Sequence, residues 1–196
     1  MRRQSSGSVE IPTLAQIEQE RARLRYKKRY NRTLKSTIAV LVVVAAAAVL
    51  VATLWMPVFQ IYGSSMEPNL EEGQYVVGLK SDNLKTGDIC ALWYGNKLLV
   101  KRVIATPGSW VNIDKDGNVY VDGNLLDEPY LTEKAFGDCN IALPLQVPDS
   151  KYFVMGDNRA ASADSRNSAV GCISEENIVG KIEFCIWPLS KFGAIR

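Results

Sequence analysis

Lys101 stands in the run Leu98-Leu99-Val100-Lys101-Arg102-Val103-Ile104, an amine set among aliphatic side chains. Burial strips water from an ammonium group and lowers its pKa, so a lysine in such surroundings can hold a neutral, proton-accepting amine near pH 7. A second candidate is the pair Ser64 and Ser65 in QIYGSSMEPNL, residues 60–70. Gly63 before the pair and Pro68 after it suit a constrained turn that raises a hydroxyl and leaves backbone N–H groups free for an oxyanion. A third is GDNRAASADSR, residues 156–166. It reads either as a surface network, Asp164 with Arg166 or Arg159, or as a loop that lays Ser162 beside the Lys101 amine to orient it. The chain contains no histidine. That removes the Ser-His-Asp triad, histidine metal sites and cysteine–histidine pairs, and leaves lysine as the common alternative base for a serine nucleophile.

Residue types alone leave two readings open for each candidate. Strand alternation puts Leu99, Lys101 and Val103 on one face and Val100, Arg102 and Ile104 on the other. The first face desolvates the amine if it points inward, and leaves an ordinary edge-strand lysine if it points to solvent. Lys80, Lys85, Lys115, Lys134 and Lys151 stand in polar or loop-like settings and are weaker candidates. The serines form either a nucleophile turn or simply a small-residue exit from the apolar run before them.

The elements that must hold these groups follow from charge and hydropathy. Residues 1–36 carry ten Lys/Arg against three Glu, a surplus of seven, whereas the whole chain is only +2. Thr37–Phe59 is almost wholly apolar, and no charge occurs from Ser36 to Met66. About 20 such residues span a bilayer core as a helix, so one crossing fits. The cationic excess keeps residues 1–36 cytoplasmic, residues 37–59 cross, and residues 60–196 lie outside the cytoplasm. Trp55 followed by Pro57 suits the far interface. The basic leader reads as a topology determinant touching anionic lipid rather than as a nucleic-acid arm, and Thr13–Lys35, free of Pro and Gly, suits a juxtamembrane helix. The four cysteines, Cys90, Cys139, Cys172 and Cys185, all follow the apolar run with neither CxxC nor metal-ligand spacing, and their even number permits disulfides without selecting a pairing.

Beyond residue 66 short Val/Ile/aromatic runs alternate with turns: 74–80, 88–94, 97–105, 110–113, 118–123, 152–156 and 177–187. Asp116-Gly117 and Asp122-Gly123 read as hairpin turns. The spacing predicts a mainly β, antiparallel domain of coiled or barrel-like sheets behind one helix. Residues 133–150 read as a long surface connection.

In order along the chain, these segments resemble the bacterial type I signal peptidases, which use a Ser–Lys dyad. GSSMEPNL resembles that family's serine box, with the nucleophile directly before the methionine, which makes it Ser65 rather than Ser64. TGDICAL (86–92) resembles the strand before the lysine, and KRVIATPG (101–108) resembles the lysine box, making Lys101 the general base. GDNRAASADSR resembles the last box, in which Ser162 orients the lysine and Asp164 and Arg166 form a supporting pair. The resemblance also implies an oxyanion site from the backbone at Gly63 and Ser65, and a scaffold that includes Met66, Pro68, Gly156 and Asp157. Asn69, Ala105, Ala160 and Ala161 depart from the usual residues, and Gly63 stands where some members carry a hydroxyl.

What the resemblance implies is a membrane-anchored serine endopeptidase, working through an acyl-enzyme without metal or cofactor. Its partners are preproteins bearing signal peptides, with small residues at the first and third positions before the cut, and membrane lipid; nucleic acid is not among them. Two other readings are a self-cleaving Ser–Lys protease of the repressor type, which normally carries a DNA-binding domain, and a non-catalytic anchored β domain with purely structural serines.

Overall fold

A computed structural model describes residues 13–81 and 83–195. The expectations for the first twelve residues lie outside the described residues, and so does the one for the Trp55 side chain. Helix α1, Leu14–Trp55, runs unbroken for 42 residues through the Pro- and Gly-free basic stretch and the apolar run. It is long and apolar enough to cross a membrane, and its window of highest hydropathy is not buried against protein. The helix stops four residues before Phe59, the end of the apolar run, because Pro57 has no N–H to continue it and the chain turns extended.

The remainder is built from antiparallel strands: β1 Val58–Gln60, β2 Tyr75–Leu79, β3 Ile89–Tyr94, β4 Lys97–Ala105, β5 Trp110–Ile113, β6 Val119–Val121, β7 Asn124–Leu125, β8 Leu145–Gln146, β9 Lys151–Met155, β10 Ile173–Ser174, β11 Ile178–Trp187 and β12 Gly193–Ala194. The larger sheet has the order β1-β2-β11-β3-β4-β9-β10, with β12 added on β11, and the smaller has the order β7-β6-β5-β8. Both sheets are open, so the coiled-sheet form holds and a closed barrel is absent.

Both faces of the larger sheet are covered at its centre. Ile89 and Ala91 pack with Met66, Leu70 and Val76, whereas their neighbours Cys90 and Leu92 pack with Val103, Tyr152 and Val154 on the other side. A third cluster, around Ile104, Val111, Phe153 and Met155, joins the two sheets. The segment 133–150 is less of a surface connection than its composition suggests. Phe136, Ile141, Leu143 and Leu145 pack against that third cluster, and Val147 is fully buried. Ile141, Leu143, Leu145 and Val147 recur at every second position, but Pro144 and Pro148 fall within and just after this short alternation and mask it as a strand signal.

Candidate active site

Strand register positions Lys101. β4 pairs with β3 from Lys97 to Arg102, Lys101 opposite Cys90, but its pairing with β9 begins only at Arg102 opposite Met155. The loop that continues β9, starting at Gly156, therefore comes alongside Lys101. The solvent-facing reading of this lysine is thus excluded: Lys101 is only 3% exposed. Its Nζ donates to Ser162 Oγ at 3.1 Å. Burial pulls the Lys101 pKa down from 10.5 to about 8, opposed in part by the negative charge of Asp164 and reinforced by the positive charge of Arg166. Cys90, across the strand, is pushed up to about 12, chiefly by burial, and stays a neutral thiol in the apolar wall.

Ser65 lies in a tight turn, partly exposed, while Met66 and Leu70 sink into the core at 1% exposure each and pin that turn from below. Pro68 stays at the surface. The turn closes through the Leu70 N–H on the Met66 carbonyl at 2.9 Å. Gly63 takes φ +79°, a conformation that favours glycine. Among the described residues the Gly63 and Ser65 backbone N–H groups have no acceptor. The 156–166 loop grips the turn: Asn158 N–H donates to the Ser65 carbonyl at 3.0 Å and Asn158 Nδ2 to the Ser64 carbonyl at 3.2 Å. Gly156 sits where a Cβ would overlap both the Ser162 hydroxyl and the Ser65 carbonyl, so the serine turn and the lysine's partner meet across a glycine.

Beneath this point the charges are paired out of solvent. Asp164 takes Arg166 Nε and Nη2, each at 2.8 Å, and the Gly156 N–H at 3.0 Å. Both side chains of that pair are 0% exposed. Burial would raise the Asp164 carboxyl, but hydrogen bonds and charge from Arg166 outweigh it and hold the group below its usual value, helped by a hydrogen bond from Ser162. Ser162 thus links the lysine amine to a carboxylate. Arg166 Nη1 also donates to the Phe136 carbonyl at 2.9 Å, which ties in the 133–150 segment. The pair is therefore a buried structural element and not the solvated network that its sequence alone also allowed. Arg159 pairs with Glu128 instead, equally buried.

Sequence reasoning missed several residues here. Arg102 meets Asp157 through Nε and Nη2 at 2.9 and 2.8 Å, and its guanidinium lies 3.8 Å from the centre of the Tyr130 ring. Asn69 donates to Asp157 as well, at 2.8 Å. The available signal was an arginine among aliphatics on the face opposite Lys101, a setting that demands a buried anion. No metal-ligand cluster of His, Cys, Asp or Glu occurs among the described residues, and the cysteines are free thiols.

Comparison with known proteins adds an independent line. A family model described as signal peptidase, peptidase S26, matches residues 34–187. Signal peptidase I T of Bacillus subtilis is 36% identical over 178 residues, 84% of this chain and 91% of that protein. Signal peptidase IB of Staphylococcus aureus is 39% identical over 155 residues, 68% of this chain and 79% of that protein. A solved signal peptidase I of Enterococcus faecalis is similar to 50% of this chain and 96% of its own, at 28% identity and TM-score 0.44. With the match running from within the apolar helix to the end of β11, this chain belongs to the signal peptidase family, peptidase S26, and is a serine peptidase of the hydrolase class.

Proposed function

We propose that this protein is anchored by its apolar helix and removes N-terminal signal peptides from exported preproteins, with Ser65 as nucleophile and Lys101 as general base. The observation that carries the reading is the buried Lys101 amine, its pKa lowered to about 8 and its Nζ held 3.1 Å from Ser162 Oγ beside the serine turn. Neutral Lys101 takes the Ser65 proton as the serine oxygen attacks the scissile carbonyl. The N–H groups of Ser65 and Gly63 receive the oxyanion. The lysine then protonates the leaving amine, and water activated by the same amine hydrolyses the ester. Ser162, itself bonded towards Asp164, aims the amine, while Met66, Pro68, Gly156, Asp157 and the Asp164–Arg166 pair hold the frame.

The anchor lies within residues 37–59, with the basic residues 1–36 on the cytoplasmic side and the peptidase domain, residues 60–196, outside. The helix confines the enzyme to the bilayer through which its substrates pass, so encounter is not a search through free solution. Substrates carry small side chains at the first and third positions before the cut, and the anchor's other partner is lipid.

The test is cleavage of a model preprotein by the wild type, Ser65→Ala and Lys101→Ala. Each variant loses activity by about a thousandfold or more while its thermal unfolding stays cooperative. In the wild type kcat rises with pH through about 8, because the protonated amine is inactive and deprotonation makes the base. A Lys101→Ala variant that keeps wild-type kcat, or a wild-type profile flat from pH 6 to 9, rules the reading out.

A further inference from the structure

The serine turn is tied to the strand that carries Lys101 by a side chain for which the dyad chemistry has no use. Asn69 lies four residues after Ser65, and its Nδ2 donates both protons: to Asp157 Oδ2 at 2.8 Å and to the Tyr130 carbonyl at 2.9 Å. Both partners are acceptors, so only the NH2 end of the amide can face them. The same Asp157 carboxylate receives Arg102 Nε and Nη2 at 2.9 and 2.8 Å. Arg102 is anchored in turn by its Nη1 on the Gly87 carbonyl at 2.8 Å and by the Tyr130 ring over its guanidinium. In β4 Arg102 directly follows Lys101, so consecutive residues of one strand send one side chain to each face. Lys101 reaches Ser162; Arg102 reaches, through Asp157 and Asn69, back to the serine turn.

We propose that Asn69 is a positioning residue, whose amide locks the serine turn to the Asp157–Arg102 pair and so keeps the Ser65 hydroxyl within reach of the Lys101 amine. The inference rests on the Ser–Lys reading above. The other polar grips on the turn, both from Asn158, act on the carbonyls of Ser64 and Ser65 from the 156–166 loop. They hold nucleophile and loop backbone together, and neither bonds a side chain that itself reaches β4. The Asn69 route does reach it, and every step passes through a charge-assisted hydrogen bond to a carboxylate whose side chain is 0% exposed, where such bonds are short and stiff. Asn69 touches no reacting atom, and its loss alters no charge near the amine. It changes only where the hydroxyl sits relative to the base.

That separates positioning from stability. In the full-length protein in detergent micelles, kcat, KM, the midpoint of the acid limb and the thermal midpoint are compared for the wild type, Asn69→Ala, Asn69→Asp and Lys101→Ala. Asn69→Asp keeps the volume but removes both donor protons and sets a second carboxylate against Asp157. Both Asn69 variants lose kcat per folded molecule by roughly 10- to 100-fold, as a misplacement on the order of an ångström costs, with KM within about twofold. In Asn69→Ala the acid-limb midpoint remains where the wild type has it, since the burial of Lys101 is untouched, whereas the added carboxylate of Asn69→Asp, like the Asp157 charge, can only raise it. The proposal is overturned if either variant retains kcat within about twofold of the wild type, if KM rises while kcat holds, if the midpoint of Asn69→Ala moves, or if neither variant folds. Full activity in Lys101→Ala would instead remove the dyad reading itself, whereas active Asn69 variants beside an inactive Lys101→Ala remove this inference alone.

Discussion

At the scale of single residues the site is a problem in desolvation. An ammonium group loses hydration on burial, and Lys101, 3% exposed, has its pKa drawn down to about 8. The same shift that suits it to the proposed role of base is a cost to the fold. Between pH 8 and 10.5 the unfolded chain holds a proton on this lysine and the folded chain does not, so this group makes the fold more stable as pH rises through that window. Lys101→Met removes the effect. The stability of wild type minus that of Lys101→Met, from urea unfolding, therefore rises by about 3 kcal/mol from pH 8 to 10.5 and is flat below that window. An equal pH dependence in the two proteins would mean an amine with an ordinary pKa. The residues around LLVKRVI implied the desolvated lysine but left its face open, since alternation gives faces without saying which is covered. Here β3 and β4 are covered on both sides, so either face would have been buried.

At the scale of elements, register and one glycine bring the groups together. β4 is 97–105 in sequence pattern and in structure alike, and the runs at 110–113 and 177–187 fall within a residue of their strands. The five shortest or edge strands, β1, β7, β8, β10 and β12, have two or three residues each and no period to read. They exist because a longer neighbour offers a free edge. The junction of β9 with its following loop is where the proposed site closes up, because Gly156 lies between the Ser65 carbonyl and the Ser162 hydroxyl. Its requirement is for space, the contacts being backbone and a short side chain that cannot swing away. Gly156→Ala is expected to lower kcat by about 100-fold, with a smaller effect on the thermal midpoint, as steady-state kinetics on folded variant would read out. Wild-type kcat in that variant would mean the serine turn and the loop can separate without harm to the reaction.

At the scale of the whole molecule there are two compact units, residues 1–50 and 51–196, and every residue of the proposed site lies in the second. If the anchor serves proximity and not catalysis, removing residues 1–50 leaves kcat on a short soluble peptide within about threefold. It lowers the cleavage rate of a preprotein in vesicles by about tenfold or more. Equal losses on both substrates would give the helix a role in the chemistry itself.

The order of chemistry-bearing segments, the absence of histidine, the apolar span and the alternating strands were all set by local composition and period, and they sufficed for the family, the sheet class and the serine and lysine candidates. Local pattern could not reach the partners of buried charges. Arg102 with Asp157 spans 55 residues and Arg159 with Glu128 spans 31, and Asn69 meets Asp157 across 88. Such pairings depend on which strand edges meet, and an ion pair carries no periodic trace in the chain that forms it. Tertiary structure alone therefore decided that Lys101 is dry, that Asp164 and Arg166 are interior rather than solvated, and that the serine turn is clasped from both sides.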